Sequence, residues 1–88
     1  MSPEASAASA RYETGLTVVM GYPYWGAGKD LDIAKRNYRK QGGRLGRGYV
    51  IITFNQTTEF HGVDQMGRVH WVGDEPQTKT IKPRKASK

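Results

Sequence analysis

Cysteine is absent from this 88-residue sequence, so neither a disulfide nor thiolate chemistry supports the fold or a reaction. Serine occurs only at positions 2, 6, 9 and 87, in the terminal stretches, away from either histidine. No window approaches the length of a membrane-spanning helix, and the chain does not open on a cationic start followed by an apolar run. Together these absences lead to the expectation of a soluble, cytoplasmic protein with no membrane partner. A deep, water-excluding site is hard to build in so short a chain, and no pair of carboxylates sits in an evident apolar pocket. The expectation is a protein that is not an enzyme and that holds no cofactor.

Acid is missing where base is concentrated. Between Lys35 and Arg47 there are six basic residues and no acid; from Pro76 to Lys88 there are five, again with no acid. The net charge is +6, and the eight acids are spread over the other segments. Two separated basic blocks are the footprint expected of a polyanion-binding protein. They are equally what a solubilising charged face and a solvated tail would give.

The ends are poor in large apolar residues. Residues 1–11 are small and polar, and from Pro76 onward Ile81 is the only large aliphatic side chain. Both read as disordered tails that bury too little to offset chain entropy. What remains, residues 12–75, is enough for a single small α+β domain of a size at which a partner or dimer often helps.

Within that domain, Leu16, Val18, Met20, Tyr22 and Tyr24 alternate with Thr17, Val19, Gly21 and Pro23, which predicts a half-buried strand over about 14–22. Pro23 ends it or places it at an edge, and Gly26-Ala27-Gly28 reads as a flexible turn. A helix follows, with Asp30 as N-cap and Leu31 as its first residue. Its acids, Asp30 and Asp32, lie at the start and its bases at the end, as the macrodipole favours. Leu31, Ala34 and Tyr38 share a sector; Lys35, Arg36, Arg39 and Lys40 are read as the opposing half. Ile33 falls on the polar side and spoils the pattern. Gly42 or Gly43 supplies the left-handed residue that closes the helix, and a glycine and arginine loop runs to Gly48.

Tyr49–Phe54, β-branched or aromatic throughout, predicts a central strand. Glu59–Gly62 and Arg68–Val72 predict a hairpin about a four-residue loop, Asp64–Gly67, with Phe60 opposite Trp71 and His61 opposite His70. The architecture expected is β-α-β-β-β: a small antiparallel or mixed sheet with one helix packed on one face and the other face open.

Motifs for small-molecule chemistry fail on their residues. Gly26-Ala27-Gly28-Lys29 before a helix suggests a phosphate loop, but Pro23 stands where the first glycine belongs and Asp30 where Ser or Thr belongs. The dinucleotide pattern would need glycine at Leu31. His61 and His70 with an uncertain carboxylate fall short of the three or four ligands of a zinc site, so no metal is expected. The run Gly26-x-Gly-Lys-Asp-Leu-x-x-Ala-Lys-x-Asn37 resembles the strand-to-helix corner of small toxin–antitoxin antitoxin domains. That resemblance implies only a strand leading into a helix start, and no activity is carried over from it.

The aromatics are too numerous to fit beneath one helix of about three turns. Tyr38, Phe54 and Phe60 read as core; Tyr24, Trp25 and Trp71 are more open to a binding role. The leading expectation is a non-catalytic nucleic-acid-binding protein, of DNA or RNA. In it Lys35, Arg36, Arg39, Lys40, Arg44 and Arg47 contact phosphates, Trp25 and Trp71 offer stacking faces, and the basic C-terminal tail adds attraction. The alternative is a protein-binding adaptor or inhibitor docking on an acidic partner protein. A homodimer through the edge of the Leu16–Tyr22 strand is compatible with either.

Overall fold

The computed structural model describes residues 15–83. They form β1 (Leu16–Gly21), β2 (Tyr24–Gly28), α1 (Leu31–Lys40), a short 3-10 turn (Leu45–Arg47), β3 (Tyr49–Phe54), β4 (Glu59–Val63), β5 (Val69–Val72) and β6 (Gln77–Ile81). β1, β2, β3 and β6 make one antiparallel sheet in the order β2-β1-β3-β6, and β4 and β5 pair separately as a hairpin. The expected α+β class, with one helix against the sheet, is what the chain adopts.

The period of two along the strands sorts their side chains into two cores. Leu16, Val18, Ile52 and Phe54 point to one face and meet Phe60 from the hairpin, with Trp25, Val50, Val63 and Val69 packed around them. Val19 points to the other face and meets Ala34 and Tyr38 of α1, with Leu31, Leu45, Tyr49 and Ile51 around it. The sheet is thus covered on both sides, by helix and by hairpin. The second face, expected to be open, is closed because β4–β5 folds back across it. Burial on both faces is also why β3 is apolar at nearly every position and lies inside the sheet. Tyr38, Phe54 and Phe60 are each 2 % exposed, the core residues that the sequence implied.

Several differences from the sequence reading have physical causes. Gly26 and Gly28 do not form a flexible turn; they lie in β2, where the helix rests on bare backbone. A methyl group at Gly26 would overlap the Tyr38 backbone nitrogen and stand 2.6 Å from the Asn37 carbonyl carbon. Glycine in a strand marks such an approach. Ile33, the helical misfit, packs on the same edge: its Cβ would lie 2.8 Å from a methyl at Gly28.

The stretch from Pro76 is not all tail. Gln77–Ile81 pairs along β3 from Thr53↔Gln77 to Tyr49↔Ile81, so the domain runs past position 75. This strand is held by ladder bonds on an open edge more than by burial, with threonines at 78 and 80 suited to the extended backbone, which is why hydrophobic content alone overlooked it. The expected N-terminal tail and residues 84–88 lie outside the described residues. Finally, β1 has a strand on either side, so the edge proposed for self-association is already paired.

In the hairpin Phe60 does face Trp71, but Gly62 faces His70, because a bulge between Phe60 and Gly62 sets His61 out of register. An extra residue in one strand has this effect. The expected histidine pairing is therefore absent.

Candidate nucleic-acid interface

The candidate interface is assembled where α1 ends. Asp30 caps the start by accepting from the Ile33 N–H at 2.9 Å. At the other end Gly42 N–H donates to the Arg39 carbonyl and Gly43 N–H to the Tyr38 carbonyl, the paired bonds of a Schellman motif. Gly42 has φ +109°, a conformation that a residue with a Cβ adopts only under strain. The chain reverses there and carries Arg44 and Arg47 back beside the β1–β2 turn, Tyr22-Pro23.

Between the helix end and that turn lies a groove of about 510 Å³, lined by Tyr22, Pro23, Tyr24, Tyr38, Arg44 and Arg47 with Gly21, Gly42 and Gly48. Tyr22 is 63 % and Tyr24 42 % exposed, and both arginines are exposed. Each tyrosine ring is backed by a glycine. A Cβ at Gly42 would stand 3.0 Å from Tyr24 Cε1, and one at Gly67 would stand 2.8 Å from Tyr22 Cδ1. Tyr38 is the floor, its ring against Gly43 and its hydroxyl beside Gly21. Burial pushes the Tyr38 phenol above its ordinary range and Tyr49 adds slightly, while a hydrogen bond from the Arg44 backbone pulls it part of the way back. Tyr38 is a neutral structural residue in this site.

A second groove, of about 420 Å³, lies across the 3-10 turn and is lined by Lys35, Leu45, Gly46, Tyr49, Ile81 and Lys82. Lys35 Nζ sits 5.9 Å from the centre of the Tyr49 ring, within reach of a cation–π attraction. Lys35 is therefore not on the outer helix face. It follows Leu31 by four positions, which returns it to the core side of the helix. Arg36, Arg39 and Lys40 are exposed. Among the described residues no lysine or arginine comes within 4.0 Å of a carboxylate of another described residue; the ionisable base–acid approaches seen among them are His61 to Glu59 and His70 to Asp64.

The tryptophans lie elsewhere. Trp25 is half-buried and meets Phe60 edge-on at 5.6 Å, on the sheet face opposite α1. Trp71, 38 % exposed, lies 6.3 Å from Phe54. Neither lines either groove, so the structure joins Arg44 and Arg47 to Tyr22 and Tyr24 and not to the two tryptophans. Tyr22 escaped the sequence reading because alternation assigned it to the β1 core face. The usable signal was Pro23, which ends the strand and throws the flanking tyrosines outward.

The histidines make separate local contacts. His61 Nε2 is 3.1 Å from Glu59 Oε1 without the angle of a hydrogen bond, and His70 Nε2 is 2.8 Å from Asp64 Oδ2. Among the described residues no three His, Cys, Asp or Glu side chains are placed to hold a metal ion. Among them, too, no helix is long and apolar enough to cross a membrane. No protein-family model, curated protein or solved structure matches this chain. The chemistry of the first groove is what remains to be read: two guanidinium groups with five donors each, open to solvent beside two phenol rings, suit an anion attached to a flat apolar group.

Proposed function

We propose that this is a cytoplasmic, non-catalytic domain that binds nucleic acid. Arg44 and Arg47 contact phosphates in the groove at the helix end, and Arg36, Arg39 and Lys40 extend the attraction along α1. Lys79 and Lys82 contribute from the β6 side. The observation that carries this reading is that Arg44 and Arg47 lie in one groove with exposed tyrosines and have no carboxylate partner among the described residues. An arginine already paired within the molecule would gain little by exchanging partners, whereas a free one releases counterions when it meets a phosphate.

The test is a fluorescence-anisotropy titration of the full chain against labelled DNA and RNA at two ionic strengths. Affinity should fall as salt rises, with a log–log slope of about −3.5, the value for four or five phosphate contacts. Absence of binding at micromolar protein and low salt would overturn the reading.

A second reading rests on β6. Among the described residues it is one of the two outer strands of its sheet, and such an edge accepts an added strand from a protein partner. Recovery of one stoichiometric protein from nuclease-treated extract, lost when a proline replaces Thr78 or Thr80, would favour that reading.

A further inference from the structure

We infer that the nucleic acid taken by the groove is single-stranded, with bases stacked on Tyr22 and Tyr24 while Arg44 and Arg47 hold the adjoining phosphates. This rests on the nucleic-acid reading above and narrows it. A duplex presents phosphates and base edges, but its base faces are covered by their neighbours. Exposed phenol rings have nothing to stack on there. In a single strand the faces are free, and a basic groove bearing aromatic platforms is the arrangement that uses them.

Three features of the site favour the strand. The rings lie against backbone and are exposed beyond it: Gly42 stands beside Tyr24 and Gly67 beside Tyr22, with no side chain between, which leaves ring surface for a base to cover. The groove, at about 510 Å³, is of small-molecule size and admits about one or two nucleotides, not the width of a duplex. Beyond the 3-10 turn Lys35 and Lys82 line a second groove with the half-buried Tyr49, which offers cations for the phosphates that follow. The turn between the two grooves is crested by Gly46, at which an added Cβ would meet nothing within 4 Å. A strand that passes over this turn meets no side chain at Gly46.

The experiment is a competition assay with the full chain bound to a labelled single-stranded oligonucleotide. Unlabelled competitors are the same sequence as single-stranded DNA, single-stranded RNA and duplex DNA, at one fixed ionic strength. The single strands should compete about tenfold better than the duplex or more. The DNA and RNA arms identify which sugar is preferred, and a strand preference in either supports the inference. A Tyr22→Ala/Tyr24→Ala variant should lose the preference yet keep the salt slope, and Tyr22→Phe/Tyr24→Phe, which keeps both π faces, should retain it. Circular dichroism checks that both variants are folded. Should the alanine pair not fold, the phenylalanine pair and Arg44→Gln/Arg47→Gln, which should weaken binding of the single strand, carry the test. Equal competition by duplex and single strand, unaffected by the tyrosines, would overturn this inference and leave phosphate binding standing. No binding to any of the three would overturn both.

Discussion

Asn37 Nδ2 donates to the Ala27 carbonyl at 2.7 Å, tying α1 to the edge strand β2 along the line where helix and strand backbones touch. An edge strand has carbonyls without a ladder partner, and Asn37 satisfies one of them. The same line holds Gly26 beneath Ala34, Asn37 and Tyr38. Because Tyr38 is the floor of the groove, the fit of helix to β2 also positions that floor.

Gly26→Ala should therefore destabilise the domain by about 2–3 kcal/mol, since the colliding atoms are helix backbone and have no rotamer to escape into. Asn37→Ala, which leaves the Ala27 carbonyl without its partner, should cost about 1 kcal/mol. Urea denaturation followed by circular dichroism measures both. A Gly26→Ala protein with the wild-type midpoint would show that helix and strand are not in backbone contact.

The two tryptophans should separate by environment. Trp25 packs edge-on against Phe60 within the hairpin-side core, whereas Trp71 is 38 % exposed. Acrylamide should quench Trp71 preferentially, and Trp71→Phe should remove most of the quenchable emission. Trp25→Ala should lower stability by about 3 kcal/mol, the scale of an emptied aromatic site, without a selective effect on binding. Strong quenching that survives Trp71→Phe would place Trp25 at the surface.

The β4–β5 loop should respond to acid. Asp64 Oδ1 accepts from the Met66 and Arg68 N–H groups at 2.8 and 3.0 Å, and Oδ2 lies 2.8 Å from His70 Nε2. The His70 hydrogen bond first, then those backbone donors, hold its carboxyl down to about 2 from an ordinary 3.8. Because the folded value is the lower one, the carboxylate favours the ordered loop. That contribution is complete above about pH 4 and is lost as pH falls toward 2. The Met66 and Arg68 amide resonances should titrate together with a midpoint near 2; a midpoint near 4 would mean that the loop does not hold the carboxylate.

Removing the helix cap gives a fourth check. Asp30→Ala deletes the acceptor for the Ile33 N–H and should cost about 1 kcal/mol, whereas Asp30→Ser or Asp30→Asn should restore most of it. Loss of stability with no rescue by either would point to a role for Asp30 other than capping.

What the residues declared by themselves was local. Asp30 and Gly42 mark the ends of α1 by capping chemistry that acts over a few positions, and Tyr49–Phe54 is β-forming at every residue. The elements that went unseen carry their cause in their partners. β2 forms by pairing with β1 across the Tyr22-Pro23 turn, and its glycines are where the helix lies against bare backbone. β6 forms because β3 offers it an edge. Neither cause leaves a hydrophobic period in Gly26-Ala27-Gly28 or Gln77–Ile81. The candidate site divides in the same way. Arg44 and Arg47 stood out as cations in a glycine-rich loop, but which aromatics would join them was a matter of topology. The turn at Pro23 brings Tyr22 and Tyr24 to the helix end, while the pleat of β2 and the packing of the hairpin carry Trp25 and Trp71 to the far side of the sheet.

The central claim is that Arg44 and Arg47, exposed and without a carboxylate partner among the described residues, meet phosphates. Its most direct test is the salt dependence of single-stranded oligonucleotide binding by the Arg44→Gln/Arg47→Gln chain, measured beside the wild type. The log–log slope should shrink by about 1.4 with the loss of two contacts, and affinity at low salt should fall. A double variant that binds with the wild-type affinity and slope would contradict it.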